Sequence, residues 1–251
     1  MKIAEYIQSL ATEGRLLAEA AQQVGTGAPV PTCPDWQVRD LLRHTAMVHT
    51  WAAAFVTEGH VQYVPDAGEP DLDGPALLDR FRAGHQLLVE ALERAPEDLE
   101  CWAFLPAPSP LAFWARRQAH ETTIHRADAE SARGGVLSPV APDHAVDGVD
   151  ELLCGFHARP RSRVRTDVPR TLRVRATDTG TVWTVRLSTE HPAAVREDEP
   201  SALPPVDCEL SATAQELYLT LWNRRPMTAL TVTGDPGLAH LWRENSSVTW
   251  S

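Results

Sequence analysis

Residues 109–135 read SPLAFWARRQAHETTIHRADAESARGG. Both ends of a long helix are written into this stretch. Ser109 suits an N-cap, where its hydroxyl accepts from a first-turn N–H, and Pro110 suits the first helical position, where a missing N–H is no loss. Gly134 and Gly135 stop the run near Arg133. Between them Trp114, Gln118, Glu121, His125 and Asp128 recur at steps of three or four, so they share one stripe of the helix. A stripe that starts at a Trp and is polar through its middle is unusual for a bundle core. It fits a lined pocket.

Working outward, three more helical patterns precede this one. Residues 3–24 repeat Ile3, Ile7, Leu10, Leu17, Ala20 and Val24 at helical spacing and stop at Gly25-Thr26-Gly27. This GxG is no nucleotide fingerprint, because a helix precedes it and a Pro-rich loop, APVPTCPD at 28–35, follows. A second helix runs from about Trp36 to Thr57 with Val38, Leu41, Leu42, Thr45, Val48 and Ala52 inward. A third spans roughly 76–95 with Leu77, Phe81, Leu88 and Leu92 inward. The acidic, Pro- and Gly-rich segment 58–75 between them reads as a long surface loop, either functional or disordered. A fifth helix is expected near 142–158. The expectation is an antiparallel bundle of four or five helices over residues 1–158.

The pattern changes period after residue 160. RPRSRVRTDVPR (159–170) is basic and polar and suits a linker. TLRVRATDTGTVWTVRL (171–187) alternates about Asp178-Thr179-Gly180, a β-hairpin signal. Strands are expected at 206–210 and 229–233, with helices at 213–224 and from Pro236 to about Glu244. The fold class is therefore α followed by α+β, with a small α+β domain at 165–251.

Composition sets the outer bounds. At 43% hydrophobic residues with eight Trp, the 251-residue chain can bury a core. A net charge of -11 argues against nucleic acid as a partner, because phosphate binding needs a basic face. Lys2 is the only lysine among 23 Lys and Arg residues, which reads as codon bias of a GC-rich genome. No apolar run is long enough for a signal peptide or a membrane span, so a cytoplasmic protein is expected. Cys33, Cys101, Cys154 and Cys208 are far apart and form no CxxC pair, which argues against a structural zinc site or a disulfide framework. They read as buried small hydrophobes.

The chemistry concentrates in HETTIH (120–125). Glu121 and His125, four apart, share a helix face with Cβ atoms about 6 Å apart. That spacing suits two ligands of one metal ion, and equally an exposed Glu–His ion pair. His120 lies about 100° round the helix and cannot join them. A third ligand must come from another helix. His44, flanked on its face by Leu41 and Val48, is the candidate, or else a satisfied core histidine. His49 faces elsewhere. No GxSxG elbow and no P-loop is present, and nothing local activates a Cys.

TCPDWQVRDLLRHTAMVHTWA (32–52) followed by ARRQAHETTIHRADAE (115–130) resembles the mycothiol-dependent maleylpyruvate isomerase family, within the DinB-like superfamily. CELSATAQELYLTLWNRRP (208–226) and LTVTGDPGLAHLWRE (230–244) resemble that family's C-terminal domain, related to sterol-carrier-protein folds. The resemblance implies a DinB-like bundle and one divalent metal ion, usually zinc, on His44, Glu121 and His125. One departure is Gln37, where the family has a Ser or Thr cap. Gln caps poorly, so a looser helix start is expected.

The resemblance further implies an enzyme acting on a small electrophilic metabolite with mycothiol, a low-molecular-weight thiol, as cosubstrate. The reaction is an isomerisation or a thiol transfer. A thiol-independent pathway enzyme and a non-catalytic metal- or ligand-binding protein remain open. His120 and Asp128 are candidates to support the ligands from behind. Arg116, Arg117 and Arg126 are candidates to hold a substrate carboxylate, or else exposed helix arginines. Neither a membrane nor a nucleic acid is expected as a partner.

Overall fold

The computed structural model describes residues 1–198 and 202–248. It divides into two compact units, Met1–Ser138 and the residues from Pro139 onward.

The first unit holds four long helices: α1 (Ile3–Val24), α2 (Val38–Glu58), α3 (Gly74–Arg94) and α4 (Pro110–Arg133). Their main contacts are α1 with α4 and α3, and α2 with α3 and α4. Consecutive helices α1 and α2 therefore sit diagonally, as do α3 and α4. The connections 25–37 and 95–109 must cross the end of the bundle. Leu17, Leu41, Leu42, Leu77 and Phe81 are fully buried at the centre. The apolar positions read from the sequence are the ones that pack here.

The expected signals at the start of α4 are realised. Ser109 Oγ accepts from the Ala112 N–H at 3.1 Å. The start of α2 is firmer than its Gln37 cap implied. Asp40 Oδ2 accepts from the Gln37 N–H at 2.8 Å, and the chain before it is tied by an isolated bridge between Pro29 and Gln37. These bonds fix the entry of the chain into α2, although the Gln37 side chain makes no cap hydrogen bond.

Helix α4 differs from the others. Of its 24 residues, 18 are buried, although its sequence is largely polar. Each buried polar group then needs a partner. Arg126 illustrates this. Its guanidinium donates to Glu13 at 2.6 Å, Glu130 at 2.8 Å and the Ser138 carbonyl at 2.7 Å.

The second unit begins with α5 (Pro142–Asp150), which continues into a π-helical turn, Glu151–Phe156. Five strands follow: β1 (Arg170–Ala176), β2 (Thr181–Leu187), β3 (Ala193–Asp198), β4 (Cys208–Ala212) and β5 (Thr231–Gly234). They form one sheet in the order β3-β2-β1-β4-β5, antiparallel except for the β1–β4 pair. The expected hairpin is β1–β2, with Gly180 at φ 73° in its turn. Two further helices are α6 (Ala214–Leu221) and α7 (Pro236–Asn245).

Two expectations need correction. The division falls between Ser138 and Pro139, ahead of the expected junction at 159–170. The fifth helix belongs with the α+β unit because α5 packs on α6. An α5 side chain at position 148 would collide with Tyr218, and glycine there lets the helix lie against that ring. Helical periodicity shows that α5 has an apolar face but not what covers it. Strand β3 has no counterpart in the sequence reading. It is an exposed edge strand, so no alternation marks it.

Candidate metal centre

Helices α2 and α4 bring His44, Glu121 and His125 together. All three are buried, and one ligand atom from each lies within 4.8 Å of the others. His44 Nε2 is 3.3 Å and His125 Nε2 is 3.1 Å from the same oxygen, Glu121 Oε1. The other carboxylate oxygen, Oε2, accepts from Arg117 Nη2 at 3.1 Å. Glu121 thus presents a single oxygen to the two imidazoles.

The far side of His125 is held as well. Its Nδ1 lies 2.9 Å from Asp128 Oδ2, and Asp128 Oδ1 accepts from the Thr32 hydroxyl at 2.5 Å. A carboxylate only accepts, so the Nδ1 proton is committed to Asp128. Nε2 then carries either a lone pair facing the Glu121 oxygen or a second proton. Two lone pairs at 3.1 Å repel unless a cation, a proton or a metal ion, lies between them. The donor set of two nitrogens and one oxygen is one that zinc accepts while keeping a fourth position open.

The electrostatics agree. Burial would push the Glu121 carboxyl up, but hydrogen bonds from His125 and His44 and the charges of His125 and Arg117 outweigh it and hold it well below the usual range. Burial would push His125 down, yet its bonds to Asp128 and Glu121 raise it. Glu121 is thus held ionised, and His125 holds a proton more firmly than an ordinary histidine.

Trp36 covers the pair. Its ring stacks on His125 at 6.1 Å between centroids and tilts against His44 at 5.3 Å. From the 59–73 connection, Glu69 brings Oε1 to 4.0 Å from His44 Nδ1. That connection is fastened to α2, where Trp51 Nε1 donates to the Val64 carbonyl at 2.7 Å and Arg43 Nε to the Leu72 carbonyl at 2.9 Å.

The structure sorts the remaining candidates. Asp128 stands behind His125. His120 instead faces α1, with its ring edge-on to Tyr6 at 6.3 Å. Arg117 reaches the centre through Glu121. Arg126 does not, because Glu13 and Glu130 engage it. Neither Arg117 nor Arg126 is an exposed helix arginine, since both are fully buried. Arg116 is half-buried. Sequence reading missed Thr32, Trp36 and Glu69 as neighbours of the centre. They lie in connections, where no periodicity points to an inward side chain. Cys101 and Cys208 are buried, which raises their thiols, while Cys33 and Cys154 are half-buried.

The chain can now be set beside known proteins. The model of the mycothiol maleylpyruvate isomerase N-terminal domain matches residues 7–130, and that of the MDMPI C-terminal domain matches residues 143–241. No curated protein matches the sequence. Two crystal structures of the mycothiol-dependent maleylpyruvate isomerase, one of them a histidine-to-alanine mutant, share the fold. Their TM-scores are 0.62 and 0.64, at 12% identity, over 93% of this chain and 93% of theirs. Both halves are matched, in order and across nearly the whole length, so the chain belongs to the mycothiol-dependent maleylpyruvate isomerase family.

Proposed function

We propose that this chain is a metal-dependent enzyme that uses mycothiol on a small electrophilic metabolite, as an isomerase or an S-transferase. His44, Glu121 and His125 hold one divalent ion, zinc by preference. The observation that carries this reading is the convergence of two imidazole Nε2 atoms on one Glu121 oxygen, with His125 Nδ1 already committed to Asp128. Family membership supplies the thiol and the reaction class.

A zinc ion held there lowers the pKa of a coordinated thiol, so that a thiolate forms near neutral pH. The protein's part is to fix the ligands. Asp128 sets the tautomer of His125 and orients its ring. Arg117 occupies the second Glu121 oxygen and keeps that carboxylate ionised. Trp36 shields the imidazoles from water on one side. In an isomerisation the thiolate adds to an activated double bond, the former double bond rotates, and the thiol leaves, with no net change in atoms. In a transfer the new carbon–sulfur bond stays and the neighbouring carbon takes up a proton, balancing the one the thiol gave up.

The test starts with metal content. Purified protein should carry about one ion per chain, as a three-ligand site implies. His44→Ala, Glu121→Ala and His125→Ala should each lose most of it, and His44→Ala with full metal would make His44 a core residue only. Calorimetric titration with mycothiol should then show binding to the metal-loaded protein and none to Glu121→Ala. Equal binding to both would remove the thiol from the metal. Turnover of maleylpyruvate favours the isomerase, and binding without it favours the transferase.

A further inference from the structure

Gln118 lies one turn before Glu121 on the same stripe of α4 and is only 2% exposed. Its side-chain oxygen is buried and has no hydrogen-bond partner among the described residues. Arg117 Nε and Arg126 Nη2 on α4 are also buried without a partner, but both guanidiniums bond through their other nitrogens. Other buried polar side chains of α4 are engaged. His125 has Asp128, Arg126 has Glu13 and Glu130, and Thr123 has the Ala119 carbonyl. A buried amide without a partner is costly, and native proteins keep few of them.

Among the acceptors of α4, the place of Gln118 accounts for the unpaired oxygen. Side chains on a helix tilt toward the N-terminus, so the Glu121 carboxylate reaches back over the turn that carries residues 117 and 118. The 3.1 Å contact from Arg117 to Glu121 Oε2 records that reach. Gln118 therefore sits on the same stripe as Glu121, one turn toward the start of the helix. Beyond it along the stripe the lining turns aromatic, with Trp114 stacked on Phe55 and edge-on to Trp51. Gln118 is the polar group between the charged centre and this apolar end.

We infer that Gln118 is a specificity-determining residue whose side-chain oxygen reads a hydrogen-bond donor of the bound small molecule, a hydroxyl or an N–H next to the atom held at the centre. The oxygen suits this task because it only accepts and so selects a donor. The inference rests on the reading of His44, Glu121 and His125 as the reactive centre. It adds that the protein keeps an unsatisfied amide oxygen for the ligand's use.

The consequence is a pair of effects with opposite signs. A structural glutamine loses stability when replaced, whereas a ligand-reading one gains stability and loses affinity. The test compares wild type with Gln118→Met, close in length and apolar. Zinc content, thermal unfolding and the affinity for acetohydroxamate, a small chelator carrying a carbonyl and an N–H, are measured on each. Gln118→Met should keep its zinc, melt about 2–4 °C higher and bind acetohydroxamate about tenfold more weakly, the loss typical of one removed hydrogen bond. Gln118→Glu, which keeps the acceptor but adds charge beside Glu121, should melt lower. A lower melting point for Gln118→Met, or unchanged affinity for the probe, overturns the inference. Wild-type protein without zinc defeats the metal reading alone. The melting comparison then still decides for Gln118, a rise supporting it and a fall overturning it.

Discussion

Asp128 takes the Nδ1 proton of His125 at 2.9 Å, and this one bond decides which nitrogen of the ring faces Glu121. The Thr32 hydroxyl holds the other oxygen of Asp128 in turn. The ring orientation is thus set by a chain of contacts that starts in the 28–35 loop.

Asp128→Asn tests this chain. An asparagine can keep the shape but offers only one acceptor oxygen and no charge. Zinc affinity, measured by competition with a chromogenic chelator, should fall about 10–100-fold, the usual cost of losing a carboxylate behind a histidine ligand. Thr32→Val should act in the same direction and less strongly. Unchanged affinity in Asp128→Asn would mean that the ring is held by packing against Trp36 instead.

Arg126 should prove structural. Arg126→Met leaves Glu13 and Glu130 buried without their cation, and breaking a buried pair from one side costs about 3–5 kcal/mol. Burial already pushes the Glu13 carboxyl up even with Arg126 beside it. Chemical denaturation should show the loss, with metal content per folded molecule unchanged. A variant of normal stability that fails to bind an anionic substrate would restore the anion-holding role for this arginine.

Acid sensitivity should come in part from His157 in the second unit. Burial lowers its pKa from 6.5 to about 4. The folded state therefore binds fewer protons than the unfolded chain between those values, so stability falls as pH drops through that window and is unaffected above it. A shift of this size corresponds to about 3 kcal/mol by pH 4. In His157→Phe, which keeps a ring against Trp242, the melting temperature should fall less steeply between pH 6.5 and 4 than in wild type. Parallel curves for the two proteins would assign the acid limb to other groups.

Gly148→Ala probes the seat of α5. A Cβ there would come within 2.2 Å of the Tyr218 ring, so the helix or the ring must move. Overpacking of this kind costs about 1–3 kcal/mol. Gly148→Ala combined with Tyr218→Leu should recover part of the loss, and a double variant no better than the single one would show that the strain lies elsewhere.

Much of the fold was legible because it is written in local periods. Leu41, Leu42, Leu77 and Phe81 repeat at helical spacing and are fully buried. Ser109 and Pro110 mark the start of α4, and Asp178-Thr179-Gly180 marks the β1–β2 turn. The spacing of Glu121 and His125 placed them on one face for the same reason. What was not legible depends on partners distant in the chain. The assignment of α5 to the second unit, the diagonal placement of α1 and α2, and the parallel β1–β4 pairing all follow from which apolar surfaces meet.

The candidate centre divides along the same line. The sequence by itself determined that Glu121 and His125 share a face, because helix geometry is local, and offered His44 as an inward candidate that the resemblance to the family then favoured as a ligand. Only the tertiary structure decided that Asp128 orients His125, that Arg126 turns away to Glu13, and that Thr32, Trp36 and Glu69 close around the histidines. Those contacts join residues separated by up to 113 positions in the chain. Hydrogen bonds and stacking at that separation have no period to read. They exist only once the helices are packed.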